Sequence, residues 1–96
     1  MNNTPQDITN ISEQDNNGPL ARARQRQKAA WQAGRNETVE QLLAAFPELA
    51  SDREATLDLI YLEILHRDNR GESPTLAEYR KRFPALSARL AVLFPH

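Results

Sequence analysis

Three features of this chain carry residue types able to do chemistry. They are the triplet His66-Arg67-Asp68, the carboxylate of Glu63 inside an apolar run, and the basic ladder Arg22, Arg24, Arg26, Lys28. The triplet is of the kind that opens a phosphoryl-transfer loop, where the Asp takes the proton of the attacking hydroxyl. That chemistry also needs an Asn further along to hold a metal ion, and the equivalent position 73 is Ser. It needs a Gly-rich loop over the phosphates, a strand lysine and a metal-binding Asp-Phe-Gly, and the sequence has none of these. The triplet is therefore read as a polar helix end, with His66, Arg67 and Arg70 complementing the helix dipole.

Glu63 sits among Leu59, Ile60, Tyr61, Leu62, Ile64 and Leu65. A buried carboxylate without a partner is expensive, so it must find a cation. Arg67 lies one helical turn on. Arg82, beside Phe83, is the long-range partner, and the expected pair is Glu63 with Arg82 across two helices. A single carboxylate with no second acid, base or metal ligand beside it is not a catalytic site. His66 and His96 have no company that would make a metal centre, and there are no cysteines. No catalytic residue, cofactor site or metal site is expected, and the module is read as a non-enzyme.

The basic ladder would suit phosphates. Its alternate spacing, however, spreads the charges around a helix and does not align them on one face. Residues 20–35 carry a net +5, residues 36–66 a net −6 and residues 67–96 a net +3; with −3 in residues 1–19 the chain sums to −1. Opposite blocks of this size attract each other within one fold, whereas a nucleic-acid binder shows a clear basic excess. A small nucleic-acid-binding regulator using the first helix is kept as the alternative reading.

The elements that must position these groups are helices. With 96 residues the chain makes one domain at most. Residues 1–19 are polar, hold only Ile8 and Ile11 as large apolar residues, and end in Asn17-Gly18-Pro19. Such a stretch cannot bury enough surface to offset its ordering entropy and is expected as a disordered tail. Residues 20–96 form the helical module. No signal peptide and no apolar span is present, so a soluble cytoplasmic protein is expected, without membrane insertion.

The first helix is predicted from Leu20 to Ala33, with Pro19 at its start and Gly34 at its C-cap, anchored by Trp31. The second begins at Thr38, where Thr38 and Gln41 fit a capping box, and stops at Phe46-Pro47. The third begins at Ser51, with Ser51 and Glu54 as a box, and runs to Asn69 before Gly71. Being apolar on most sides, it is expected to be buried at the centre. The fourth begins at Thr75, with Glu78 completing a third box, and stops at Phe83-Pro84. The fifth runs from Pro84 to about Leu93. No segment alternates like a strand. The fold class is thus all-α: four to five short helices in successive antiparallel hairpins.

Thr38 to Leu49 is answered by Thr75 to Leu86, with Thr, Phe, Pro and Leu recurring 37 residues apart. A fixed period of this size is the mark of a repeated helix-hairpin unit.

Within residues 57–84 lie Leu59-Ile60-Tyr61-Leu62-Glu63, Arg67, Gly71-Glu72, Pro74-Thr75, Glu78-Tyr79 and Arg82-Phe83-Pro84. This string resembles the helical accessory region that lies N-terminal to the catalytic domain in bacterial serine/threonine protein kinases, those of planctomycete type above all. Trp31, Gly34 and Val39-Glu40-x-Leu42-Leu43 extend the resemblance over about residues 28–94. The family's kinase domain does not follow within these 96 residues. The resemblance implies a regulatory or docking role, with a protein partner: a substrate, an adaptor or the kinase domain itself. Most of the matching residues read as core, so the motif identifies a fold better than it identifies a partner-binding surface.

Overall fold

A computed structural model describes residues 18–94. Five α-helices are formed, and no strand occurs among the described residues. The tail expected over residues 1–19 lies outside the described residues except for its last two. Gly18 is the N-cap of helix α1 (Pro19–Gln32), and Pro19 opens it, so the module begins one residue earlier than expected. Pro is suited to this first position because its missing N–H would have no helical partner anyway.

Helix α2 (Val39–Ala45) starts on the expected capping box. The Thr38 hydroxyl accepts from the Gln41 amide, and the Gln41 side chain accepts from the Thr38 N–H at 2.9 Å. Helix α3 (Arg53–Asn69) starts one residue later than expected: Asp52, not Ser51, is the cap, accepting from the Ala55 N–H at 3.1 Å. Asp adds a negative charge at the positive end of the helix, and Glu54 turns away to pair with Arg89 at 2.7 Å. Helix α4 (Leu76–Arg82) is capped by Thr75, but Glu78 does not close the box; its carboxylate is held by Arg67. The fifth segment is broken into a 3-10 turn at Pro84–Leu86, the short helix α5 (Ser87–Leu90) and a second 3-10 turn at Ala91–Leu93. No side chain caps any of the three pieces, and so short a run has little to hold it in α geometry. Its apolar stripe survives the break, with Leu86 and Leu90 buried.

The repeat is structural. Gly34 and Gly71 both adopt φ +84°. Each terminates a helix in the same double hydrogen bond: Gly34 N to Trp31 O with Arg35 N to Ala30 O, and Gly71 N to Asp68 O with Glu72 N to Arg67 O. This is the Schellman arrangement, and its left-handed residue favours glycine. Phe46 (φ −126°, ψ 72°) and Phe83 (φ −131°, ψ 67°) make the same bend and are each followed by a Pro-led 3-10 turn. Helices α1 and α3 are the first members of the two units. Arg24 meets Asp58, Gln27 meets Leu59 and Trp31 meets His66, so their contacts advance together and the helices run parallel.

The core joins Ala23 of α1, Val39 and Leu42 of α2, Leu59, Ile60 and Ile64 of α3, Tyr79 of α4, and Leu86 and Leu90. The central helix is not buried all round, as its composition suggested. Tyr61 is 44% and Leu65 39% exposed, because α1, α2 and the C-terminal segment cover only part of its circumference. No helix among the described residues is long and apolar enough to cross a membrane.

Candidate functional site

The motif residues converge on one internal polar network. Glu63, at mid-length on α3, is 1% exposed. Its Oε1 accepts from the backbone N–H of Val39 at 2.9 Å. That amide is at the first position of α2 and has no partner within its own helix, so the carboxylate completes the start of α2. Its Oε2 accepts from the Tyr79 hydroxyl and from Arg82 Nη1, the latter at 2.7 Å. One side chain thus ties α2 and α4 to α3, and the expected pair of Glu63 with Arg82 is formed.

Arg82 reaches further. Its Nε donates to Glu40 Oε2 at 2.7 Å, and its guanidinium lies 4.6 Å from the centre of the Tyr79 ring. Arg67, one turn beyond Glu63, leaves that carboxylate to Arg82. It donates to Glu72 at 2.8 Å, to Glu78 at 2.6 Å and to the Tyr79 hydroxyl at 3.2 Å. Two arginines therefore hold four glutamates around one tyrosine.

Burial, and then the hydrogen bond that the hydroxyl donates to the Glu63 carboxylate, push Tyr79 above the usual phenol value of 10. The hydrogen bond to Glu78 pushes the Arg67 guanidinium up. Burial alone would lower Arg82, but Glu40 and Glu63 together outweigh it. Tyr79 is held protonated and both arginines charged.

A cleft of about 170 Å³ opens above the network, between Trp31, Asn36 and Thr38 on one side and Arg67, Glu72 and Arg82 on the other. The Trp31 indole N–H donates to Glu37 O at 3.1 Å, its ring stacks on His66 at 5.9 Å, and Arg70 lies 4.4 Å from its centre. His66-Arg67-Asp68 is thus split: His66 faces Trp31, Arg67 faces Glu78, and Asp68 is exposed. The remaining motif residues shape backbone. Gly71 supplies the left-handed cap, Pro74 and Thr75 start α4, and Phe83 and Pro84 stop it.

The basic ladder is partly spent inside the chain. Arg24 pairs with Asp58 and Arg26 with Glu37, while Arg22 and Lys28 are exposed.

Sequence reasoning missed Glu40 as the second partner of Arg82 and missed Gln27, which is fully buried and donates to Leu59 O at 2.9 Å. Gln27 recurs with Ala23 and Ala30 at helical spacing, a signal that it lies on the inward face. Also missed was a groove of about 500 Å³ beside the exposed side of α3, lined by Leu57, Tyr61, Val92 and Leu93 with Glu54, Asp58 and Arg89. No protein-family model matches this chain, and neither a curated protein nor a solved structure matches it significantly.

Proposed function

We propose that the chain is a non-catalytic protein-interaction module of the kind that accompanies bacterial serine/threonine kinases, serving to dock a substrate, an adaptor or the kinase domain. The observation that carries this reading is the division of labour on α3. The polar groups of the motif are tied to one another around the buried Glu63 and Tyr79, so they build the scaffold. Tyr61 and Leu65, on the same helix, are left exposed, and Tyr61 lines an open groove. Large apolar side chains grouped on the surface of a small chain mark an interaction site. The kinase association rests on the motif resemblance alone.

The test is a binding titration of the full chain against serine/threonine kinase catalytic domains from the source genome. Saturable binding at micromolar concentration supports the reading; no binding to any of them removes the kinase from it. The rival reading, a nucleic-acid binder, is weakened by the engagement of Arg24 and Arg26 within the chain. Binding to mixed-sequence duplex DNA at low salt that fades as salt rises would restore it.

A further inference from the structure

We infer that Ser73 is a phosphorylation site, and that the serine/threonine kinase which the module docks is the enzyme that modifies it. This inference rests on the docking reading above and makes the module a substrate of its partner.

Elimination carries the first step. Among the described residues the Ser and Thr hydroxyls are those of Thr38, Ser51, Thr56, Ser73, Thr75 and Ser87. Thr38 and Thr75 are engaged as helix caps, accepting from the Gln41 and Glu78 amides at 3.2 Å. Thr56 is buried and donates to Asp52 O at 3.0 Å. Ser87 is half-buried as the first residue of α5. That leaves Ser51 and Ser73, both exposed and both outside the helices.

The backbone separates these two. Phosphoryl transfer brings the attacking oxygen to within about 3–3.5 Å of phosphorus in the right orientation, so its segment must enter a cleft. Ser51 sits in a turn that is tied on both sides: Ala50 N donates to Pro47 O at 3.1 Å, and Asp52 N to Leu49 O at 3.0 Å. The Glu72 N–H closes the cap of α3, and beyond it no backbone hydrogen bond engages Ser73 or Pro74 before Thr75 O accepts from Tyr79 N. Pro74 has no N–H to give, and it restricts Ser73 to extended geometry. Ser73 thus lies on a free, extended link between α3 and α4.

Charge separates them as well. Three residues before Ser73 stands Arg70, and three before Ser51 stands Glu48. The Arg70 guanidinium is placed by Trp31 and Asn36, both uncharged. A catalytic cleft that holds Mg-ATP through acidic side chains favours a cation beside the acceptor over an acid.

In the reaction, Ser73 Oγ attacks the γ-phosphorus of Mg-ATP. The bond from that phosphorus to the β,γ-bridging oxygen breaks, ADP leaves, and the hydroxyl proton passes to the catalytic carboxylate of the kinase. The product carries about −2 of charge next to Glu72, which with Glu78 holds Arg67 at the junction of α3 and α4.

The test incubates the full chain with Mg-ATP and serine/threonine kinase catalytic domains from the source genome, and maps the phosphate by fragment mass spectrometry. Phosphate should appear on Ser73. Ser73→Ala should abolish it, Ser73→Thr should retain it, and Ser51→Ala should change nothing. Kinase binding and thermal unfolding of Ser73→Ala should match those of the parent chain, because the hydroxyl is exposed. Phosphate at Ser51 or within residues 1–17 in place of Ser73, or incorporation that survives Ser73→Ala, would overturn the inference. Saturable kinase binding with no phosphate on Ser73 would overturn it while sparing the docking reading. Phosphate on Ser73 from kinases that show no saturable binding would remove the docking reading and leave the site standing.

Discussion

The Glu63 carboxylate accepts from Arg82 at 2.7 Å across 19 residues of sequence, while the nearer Arg67 turns away to Glu78. The choice follows from geometry and charge. Glu63 faces α2 and α4, where Tyr79 and the Val39 amide already converge, and Arg82 enters from α4 carrying Glu40 on its far side. Arg67 sits at the last turn of α3, where Glu72, just beyond the helix, and Glu78 of α4 hold it at 2.8 and 2.6 Å.

Removing Arg82 would leave a buried carboxylate with two neutral donors and no cation. Breaking a buried pair in this way costs about 3–5 kcal/mol. A domain of this size has a total stability of about 5–15 kcal/mol. Arg82→Ala should therefore lose a large share of the total stability, seen as a marked fall in the unfolding midpoint. A urea-unfolding double-mutant cycle with Glu63→Gln should give a coupling of about 1.5 kcal/mol or more. A coupling near zero would show that the two residues act separately.

Gly34 and Gly71 should respond alike. Both have φ +84°, and a Cβ at either position meets nothing within 4 Å. The cost of alanine is then the backbone cost alone, about 1–2 kcal/mol for an L-residue in the left-handed region. Gly34→Ala and Gly71→Ala should lower stability by similar amounts of that order, measured by thermal unfolding. A cost at only one position would mean that the two caps are not equivalent.

The helix starts and stops were legible because each is a local device. Thr38 and Thr75 cap, the bends at Phe46 and Phe83 precede prolines, and the glycines end helices, whatever lies across the fold. The pair Glu63–Arg82 was also legible, since a carboxylate inside an apolar run must be answered by some cation. The start of α3 was placed one residue early because Ser51 and Asp52 are both good caps, and local rules do not separate adjacent candidates. The continuity of the fifth helix was overestimated because apolar spacing is the same for an α-helix and for a chain of short turns that buries Leu86 and Leu90. The exposure of Tyr61 and Leu65 was hidden because composition tells how apolar a helix is and not how many neighbours surround it.

His66 should titrate below its ordinary value of 6.5, because burial lowers it first and the charges of Arg70 and Lys28 lower it further. The unfolded chain then binds the proton more readily than the folded one. The stability this contributes is present above about pH 6.5 and is lost as pH falls toward and below the depressed value. An NMR titration of His66 should give a midpoint below 6.5, and His66→Gln should flatten the acid side of the stability profile between pH 5 and about 7. A midpoint at or above the ordinary value would mean that the stack on Trp31 stabilises the imidazolium.

Gln27 is the place where the fold pays for specificity. Its Nε2 donates to Leu59 O, yet its Oε1, equally buried, has no partner among the described residues. A buried acceptor left unmade costs about 1–3 kcal/mol. Leu59 O belongs to the interior of α3, so it loses little if the amide is removed. Gln27→Met keeps the length of the side chain and removes both polar ends. It should leave stability unchanged or raise it by about 1 kcal/mol, read from the urea midpoint. The amide also fixes how far α1 slides along α3, because Leu59 is the one carbonyl it reaches. The same substitution should therefore loosen the register, seen as faster hydrogen exchange along α1 or weaker stacking of Trp31 on His66. A clear loss of stability would instead show that the Gln27 amide is fully satisfied, with a water on Oε1 making the second bond.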